Sequence, residues 1–371
     1  MKVCIDIQSA ITQRAGVGRY TKSLVEHLGA FSSRHELTLF CFDFKRKGIP
    51  FEAKGTNLKT IQWCPGRVVQ KMWKTMNWPP FNRFAGEADV YHFPNFIRLP
   101  LTTGKSVVTI HDVSFLRHPE TTESKNLEYL TAQIQNTVED ADAIITDSQF
   151  SANEIAERLN VETAKLFPIH LGLTDPMTKP TPKHVEQIRN VFGLERPYLL
   201  TVGTLEPRKN IPFLIDVFEK IKGFEGDLVV AGMRGWKDEP ILETMKTSSR
   251  SHSIRYLDYV HEEHLASLYA GATLFVFPSI YEGFGFPPLE AMQCGTPVLS
   301  SSAGSLPEVL GGAAVLMKSF DPTEWADKIE ELLDDSSQRE TLQAKGVQHI
   351  KKFTWAETAE KTWNVYASLI E

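Results

Sequence analysis

Short, nearly continuous apolar runs alternate along the chain with longer stretches whose apolar positions recur at helical spacing. In the first half the runs are Val3–Ile7, Leu37–Phe42, Val90–Phe93, Val107–Ile110, Ala143–Thr146 and Leu166–Ile169. In the second half they are Tyr198–Val202, Leu228–Ala231, Ile254–Leu257, Leu274–Phe277, Val298–Ser300 and Ala314–Leu316. A run that is apolar throughout suits a strand covered by helices on both faces, so the pattern predicts parallel sheets. Helical spacing fills most of the gaps, as in Tyr20–Leu28, Ser151–Leu159, Pro212–Ile221 and Glu262–Tyr269. Two such strand–helix series of similar length predict an α/β protein of two doubly wound, Rossmann-like domains. The one Pro-rich, apolar-poor stretch in mid-chain runs from Asp175 to Lys183. It should hold the boundary, giving a first domain over 1–175, a linker over 176–183 and a second domain over 184–354. The chain closes on a helical pattern from Trp355 to Ile370 with no strand after it.

Composition adds limits. With 371 residues, 42% hydrophobic and 23% charged, the chain is globular and long enough for two cores. No apolar run is long enough to cross a bilayer. The start, Met1 to Ile7, reads as a first strand without signal-peptide architecture. Cys4, Cys41, Cys64 and Cys294 show no metal-ligand spacing, and three sit in apolar surroundings, so a reduced, cytoplasmic chain is expected. The net charge of −6 is unevenly spread: residues 1–98 hold 15 Lys and Arg against 7 Asp and Glu, leaving them basic by 8 and the rest acidic by 14. No nucleic-acid motif accompanies this basic part, so no nucleic-acid partner is expected. An anionic membrane surface or lipid acceptor fits it, and so does a plain solvated face. Within it, Arg67 to Phe84 mixes Arg67, Lys71 and Lys74 with Trp73, Trp78 and Phe81. That mixture suits either a peripheral membrane contact or an aromatic stripe packed on the sheet.

Four stations carry candidate chemistry. The segment Tyr281-Glu282-Gly283-Phe284-Gly285-Phe286-Pro287-Pro288-Leu289-Glu290 follows an apolar run and opens a helix. Its glycines allow close ligand approach, its proline suits a first helical turn, and amides there can hold an anion. The two carboxylates can accept bonds from hydroxyls on either side of a diphosphate, or simply belong to an acidic loop and a helix dipole. Val202-Gly203-Thr204-Leu205-Glu206-Pro207-Arg208-Lys209-Asn210 puts two adjacent cations on a loop, where both can reach one diphosphate. Gly16-Val17-Gly18-Arg19-Tyr20 follows the first strand, but Thr21 replaces the third glycine of a dinucleotide fingerprint, so a dehydrogenase is disfavoured. His111-Asp112 stands at the carboxyl end of a strand, where parallel sheets bind ligands, although a lone histidine is often structural.

These four stations, in this order, resemble the retaining family 4 glycosyltransferases, whose E-x7-E signature matches Glu282 to Glu290. The resemblance covers essentially the whole chain and is similar to bacterial mannosyl- and related hexosyltransferases of surface polysaccharide and lipopolysaccharide assembly. It implies the GT-B fold, two Rossmann-like domains facing a cleft, with the last helix, 355–371, crossing back onto the first domain. It also implies that Arg208 and Lys209 bind the donor diphosphate and that Glu282 binds the transferred sugar. Glu290 would hold the ribose, and His111 would lie beside the sugar. Gly16, Gly18, Gly203 and the backbone of Phe284, Gly285 and Phe286 would approach the donor. The implied activity is retaining hexosyl transfer from a nucleotide sugar to a glycan or lipid-linked acceptor, with GDP-mannose favoured over a UDP-hexose. No further cofactor and no metal are expected, because Asp140-Ala141-Asp142 looks like a helix-end turn. Ile169-His170-Leu171-Gly172-Leu173-Thr174-Asp175 departs from the family's H-N-G-I-D motif and is given no catalytic role. A nucleotide-sugar epimerase of the same fold and a non-enzymatic carbohydrate-binding module remain as alternatives.

Overall fold

The computed structural model describes residues 1–13, 16–31, 35–173 and 180–371. Two compact units divide the chain. One comprises Met1–Arg117, Ser124–Gly172 and Phe353–Glu371; the other comprises His118–Glu123 and Leu173–Lys352.

The first unit holds a seven-stranded sheet of β1 (Lys2–Asp6), β2 (Glu36–Phe42), β3 (Asn57–Ile61), β4 (Val90–Phe93), β5 (Lys105–Thr109), β6 (Ala143–Thr146) and β7 (Leu166–Pro168). Their order is β3-β2-β1-β4-β5-β6-β7, and every pairing is parallel. The second unit holds a six-stranded sheet of β8 (Tyr198–Val202), β9 (Asp227–Ala231), β10 (Ile254–Leu257), β11 (Leu274–Phe277), β12 (Val298–Ser301) and β13 (Val315–Met317). Its order is β10-β9-β8-β11-β12-β13, again parallel throughout. The chain reverses direction across the sheet between β1 and β4 and again between β8 and β11. In open α/β sheets such switch points leave a crevice at the carboxyl ends of the two strands, where ligands bind.

Every expected apolar run is a strand, and one strand was not expected. In β3, Asn57, Leu58 and Lys59 are exposed, and the strand pairs only with β2 at the sheet edge. An edge strand with a solvated face needs no continuous apolar run, so the pattern gives no signal for it. The domain bounds also differ from expectation. Residues 118–123 pack with the second unit: Trp236 Nε1 donates to the Thr121 carbonyl and Lys237 Nζ to the Glu120 carbonyl, both at 2.6 Å. Of the expected linker, residues 176–179 lie outside the described residues, as does Asp175. Its end is helical: Thr181 caps the helix Pro182–Val191, with Pro182 in the first turn where a missing N–H costs nothing.

The stretch from Arg67 to Phe84 divides between the two readings the sequence allowed. The helix Gly66–Met76 buries Val69 and Trp73 against the sheet, where Trp73 packs near Phe42 and Phe81 and donates its indole N–H to the Pro79 carbonyl at 2.6 Å. Trp73 is therefore core, not an interfacial residue. On the same helix Val68 and Met76 are exposed, as are Trp78 just beyond it and Trp63 before it.

The last helix, Trp355–Ser368, belongs to the first unit. Its Trp363 stacks on Phe31 at 5.3 Å between ring centroids, and its Tyr366 hydroxyl shares a 2.6 Å hydrogen bond with His92 Nδ1 under the sheet. The turn before the helix lies against Gly172, where an added Cβ would stand 2.2 Å from the Trp355 nitrogen. Overpacking of this kind costs about 1–3 kcal/mol. Gly172→Val should therefore lower the unfolding free energy by about 1–3 kcal/mol, read as a lower urea midpoint, and an unchanged midpoint would show that the helix is not held by this contact.

Candidate active site

In the second unit the two motif loops leave the carboxyl ends of β8 and β11, the strands that flank its switch point. A buried cluster of four charges joins them. Glu206, Arg208 and Lys209 come from the loop after β8, and Glu282 comes from the loop after β11. Arg208 Nη2 lies 2.7 Å from Glu206 Oε1, and Nη1 lies 2.9 Å from Glu282 Oε2 and 2.7 Å from the Tyr281 carbonyl. Lys209 Nζ stands 2.6 Å from Glu282 Oε1 and 5.1 Å from the centre of the Phe277 ring. Glu206 and Glu282 are buried, and both cations are mostly so. Burial alone would push the Glu282 carboxyl up, but the Arg208 and Lys209 charges prevail and hold it down at about 2.

The backbone makes this arrangement possible. Gly203 leaves room for the lysine stem, since a Cβ there would lie 3.3 Å from Lys209 Cε. Pro207–Lys209 forms one tight turn, closed by Asn210 in the left-handed region, and the helix Ile211–Lys220 follows. Across the cluster, Ser305 donates from its backbone N–H and from Oγ to the Glu282 carbonyl, both at 3.0 Å, and Oγ also lies 3.1 Å from the Phe284 carbonyl. Gly304, at φ +62, fits against the Glu282 backbone where a side chain would collide. Gly285, at φ +100, turns the chain into the helix Phe286–Gln293. The buried Glu290 on that helix accepts from the Tyr269 hydroxyl at 2.9 Å.

In the first unit His111 follows β5 and is buried. Its Nδ1 lies 2.9 Å from the carboxylate of Asp147, which follows the neighbouring strand β6. Burial favours the neutral ring, but Asp147 outweighs it and the His111 pKa is raised. The ring is edge-on to Tyr20 at 4.8 Å and to Phe96 at 5.6 Å. The Tyr20 hydroxyl shares a 2.9 Å hydrogen bond with Thr109, and Thr109 shares another, of 2.8 Å, with His92 Nε2. Gly16, at φ +54, caps the helix Val17–Leu28. Gly18 is required sterically, since a Cβ would stand 2.0 Å from the Gln13 carbonyl oxygen.

The structure thus brings together Gly203, Arg208, Lys209, Glu282, Gly285 and the Phe284–Phe286 backbone within one unit, with Glu290 one helical turn on. His111, Gly16 and Gly18 lie in the other unit. Glu206, Asp147 and Ser305 were not singled out in the sequence. Asp147 had a readable signal, because it follows an apolar run as His111 does. Ser305 had none, since its partners come from a loop distant in sequence, and Glu206, only two residues from Arg208, is paired with it by the folded turn.

The two units and the whole chain have counterparts among known proteins. Residues 14–174 match the family described as Glycosyltransferase Family 4, and residues 184–349 match Glycosyl transferases group 1. O-antigen chain mannosyltransferase B of Escherichia coli is 30% identical over 390 residues, covering 100% of both chains. Among solved structures, sucrose-phosphate synthase from Thermosynechococcus elongatus superposes with a TM-score of 0.78 at 20% identity, covering 100% of this chain and 99% of that one. Anabaena HepE in complex with UDP-glucose gives 0.72 at 18% identity, over 99% and 100%. Family models, full-length relative and fold together define a glycosyltransferase with GT-B architecture. The chain belongs to the family 4 and group 1 glycosyltransferases.

Removing one partner of a buried charge cluster costs about 3–5 kcal/mol, because the opposite charge is left uncompensated. Arg208→Ala should therefore destabilise the protein by about 3 kcal/mol in urea melts, and adding Glu282→Gln should recover part of that loss. A single variant as stable as the parent would show that the cluster contributes nothing to the fold.

Proposed function

We propose that the protein transfers a hexose, mannose in preference, from a nucleoside diphosphate sugar to a glycan or lipid-linked acceptor. Configuration at the anomeric carbon is retained, and no divalent metal is needed. The observation that carries this reading is a carboxylate held ionised between two cations at the switch point of the second sheet. Arg208 and Lys209 take the diphosphate, with Gly203 and the Phe284–Phe286 backbone beside it. When the bond from the anomeric carbon to phosphate breaks, the electron pair leaves with the phosphate oxygen. Cations already fixed in place stabilise that charge without reorganising, which is the work a metal would otherwise do. Each Glu282 oxygen has lone pairs beyond those facing its cations, so it can also accept from hydroxyls of the transferred sugar. Glu290, oriented by Tyr269, accepts from the ribose hydroxyls. His111, whose pKa is raised by Asp147 against the effect of burial, presents its other ring nitrogen towards the reacting sugar. Mannose is favoured by the full-length similarity to an O-antigen mannosyltransferase, and GDP and retention by the resemblance to family 4 enzymes with the E-x7-E signature.

A panel of nucleotide sugars, read by release of nucleoside diphosphate with and without mannosyl acceptors, tests this. GDP-mannose should turn over, acceptor should accelerate release, and activity should persist in excess EDTA. Glu282→Gln should lose turnover while its melting temperature shows a folded protein. Isomerised donor without acceptor would instead indicate an epimerase, and activity lost to EDTA and restored by magnesium would end the metal-free reading.

No helix among the described residues is long and apolar enough to cross a membrane. The first unit meets a lipid-linked acceptor at an anionic membrane surface, on the cytoplasmic side. Supporting this are the basic excess of residues 1–98 and the exposed Trp63, Val68, Met76 and Trp78 beside exposed Arg67 and Lys71. Attraction of about 1 kcal/mol per basic residue, screened by salt, predicts salt-sensitive sedimentation with anionic vesicles. Arg67→Glu with Lys71→Glu, or Trp78→Ala, should weaken it. A wild-type protein that ignores anionic vesicles at low salt would remove the membrane contact.

A further inference from the structure

The segment His118–Glu123 lies between β5 and β6 in the chain, shortly after His111, yet it packs in the second unit. Its contacts there fall on two loops. Trp236 Nε1 and Lys237 Nζ, on the loop after β9, donate to the Thr121 and Glu120 carbonyls, both at 2.6 Å. The His118 ring stands edge-on to that of Tyr281, on the loop after β11, with 5.8 Å between centroids. In the sheet, β8 lies between β9 and β11. The segment therefore bridges the two loops that flank the turn of Arg208 and Lys209, which follows β8. It is itself one tight turn: the Thr121 N–H and Oγ1 both donate to the His118 carbonyl, at 3.0 and 2.8 Å.

Each flanking loop is bonded in turn to the loop after β8. On one side the Leu205 N–H donates to the Met233 carbonyl at 2.9 Å, and the Gly235 N–H to the Leu205 carbonyl at 3.1 Å. Gly235 is needed for that approach, since a Cβ would stand 2.6 Å from the Leu205 carbonyl oxygen. On the other side the Tyr281 carbonyl accepts from Arg208 Nη1 at 2.7 Å, and the Ile280 N–H donates to the Arg208 carbonyl at 3.0 Å. Lys237 carries a further mark. It sits at φ +56, a backbone conformation that a non-glycine residue keeps only where its surroundings impose it. Trp236 and Lys237 both donate to main-chain carbonyls, so what they hold is the course of the segment and not one of its side chains.

We infer that His118–Glu123 is a strap that fixes the cation turn from both sides, with Trp236 and His118 as positioning residues for the donor diphosphate. They act through Leu205 and Tyr281 on Arg208 and Lys209, and not by contact with phosphate. The inference rests on the nucleotide-sugar reading and adds to it the device that keeps the cations in place. Hydrogen exchange on the full chain without ligand, followed by calorimetry with GDP and with UDP, tests it. Trp236→Phe keeps an aromatic ring and loses the indole N–H. His118→Ala removes the ring beside Tyr281 and leaves the backbone. Each should raise exchange in peptides covering 203–210 and 280–285, with the strands 198–202 and 274–277 unchanged. Each should also weaken nucleoside diphosphate binding by about tenfold, the scale of one lost hydrogen bond. Both changes cut the same strap, so the double variant should lose about tenfold as well, where independent contacts would multiply to about a hundredfold. Unchanged exchange in those peptides, undiminished binding by both variants, or losses that multiply in the double variant would each overturn the strap. Raised exchange in the variants of a protein that binds neither GDP nor UDP would uphold the strap and remove the nucleotide-sugar reading instead.

Discussion

The second unit depends on one interaction, the burial of Glu282 between Arg208 and Lys209. Three of the four charges in the cluster come from the loop after β8 and one from the loop after β11, so the pairing ties together the strands that flank the switch point. The desolvation of four charged groups is tolerable only because each has an opposite charge within hydrogen-bonding distance. The bonds from Ser305 to the Glu282 and Phe284 carbonyls then fix the loop that carries the carboxylate. A fixed pair of cations with a fixed carboxylate beside them is preorganised electrostatics: the fold, not the substrate, bears the cost of orienting them.

The first unit solves a related problem with neutral groups. His92 is buried between Tyr366 and Thr109, and burial pushes its pKa down to about 3, so it stays neutral and serves as a spacer. The chain Tyr366–His92–Thr109–Tyr20 runs from the last helix to the ring against which His111 packs. The C-terminal segment is thereby part of the support of His111, and not an appendage.

Much of this was legible in the sequence. Apolar runs marked twelve of the thirteen strands among the described residues, most clearly the central ones buried on both faces, and β3 escaped because its exposed residues at an edge need no such run. The grouping of Arg208, Lys209 and Glu282 was legible because the loops that carry them follow strands. What the sequence hid depends on tertiary proximity. Glu206 lies two residues before Arg208, but only the folded turn makes them partners. Trp73 and Met76 share one amphipathic helix, and only packing shows that the first faces the core and the second the solvent.

The central claim is that two cations hold Glu282 ionised. A carboxylate with a depressed pKa contributes stability that is complete above the ordinary glutamate range, near 4.3, and that is lost as pH falls through about 2. Titration of the Glu282 side-chain carbon by NMR, assigned with Glu282→Gln, measures this directly. The account predicts a carboxylate that is still ionised at pH 4, with a midpoint close to 2. A midpoint at or above the ordinary glutamate value would mean that Arg208 and Lys209 do not hold the charge, and would contradict the account.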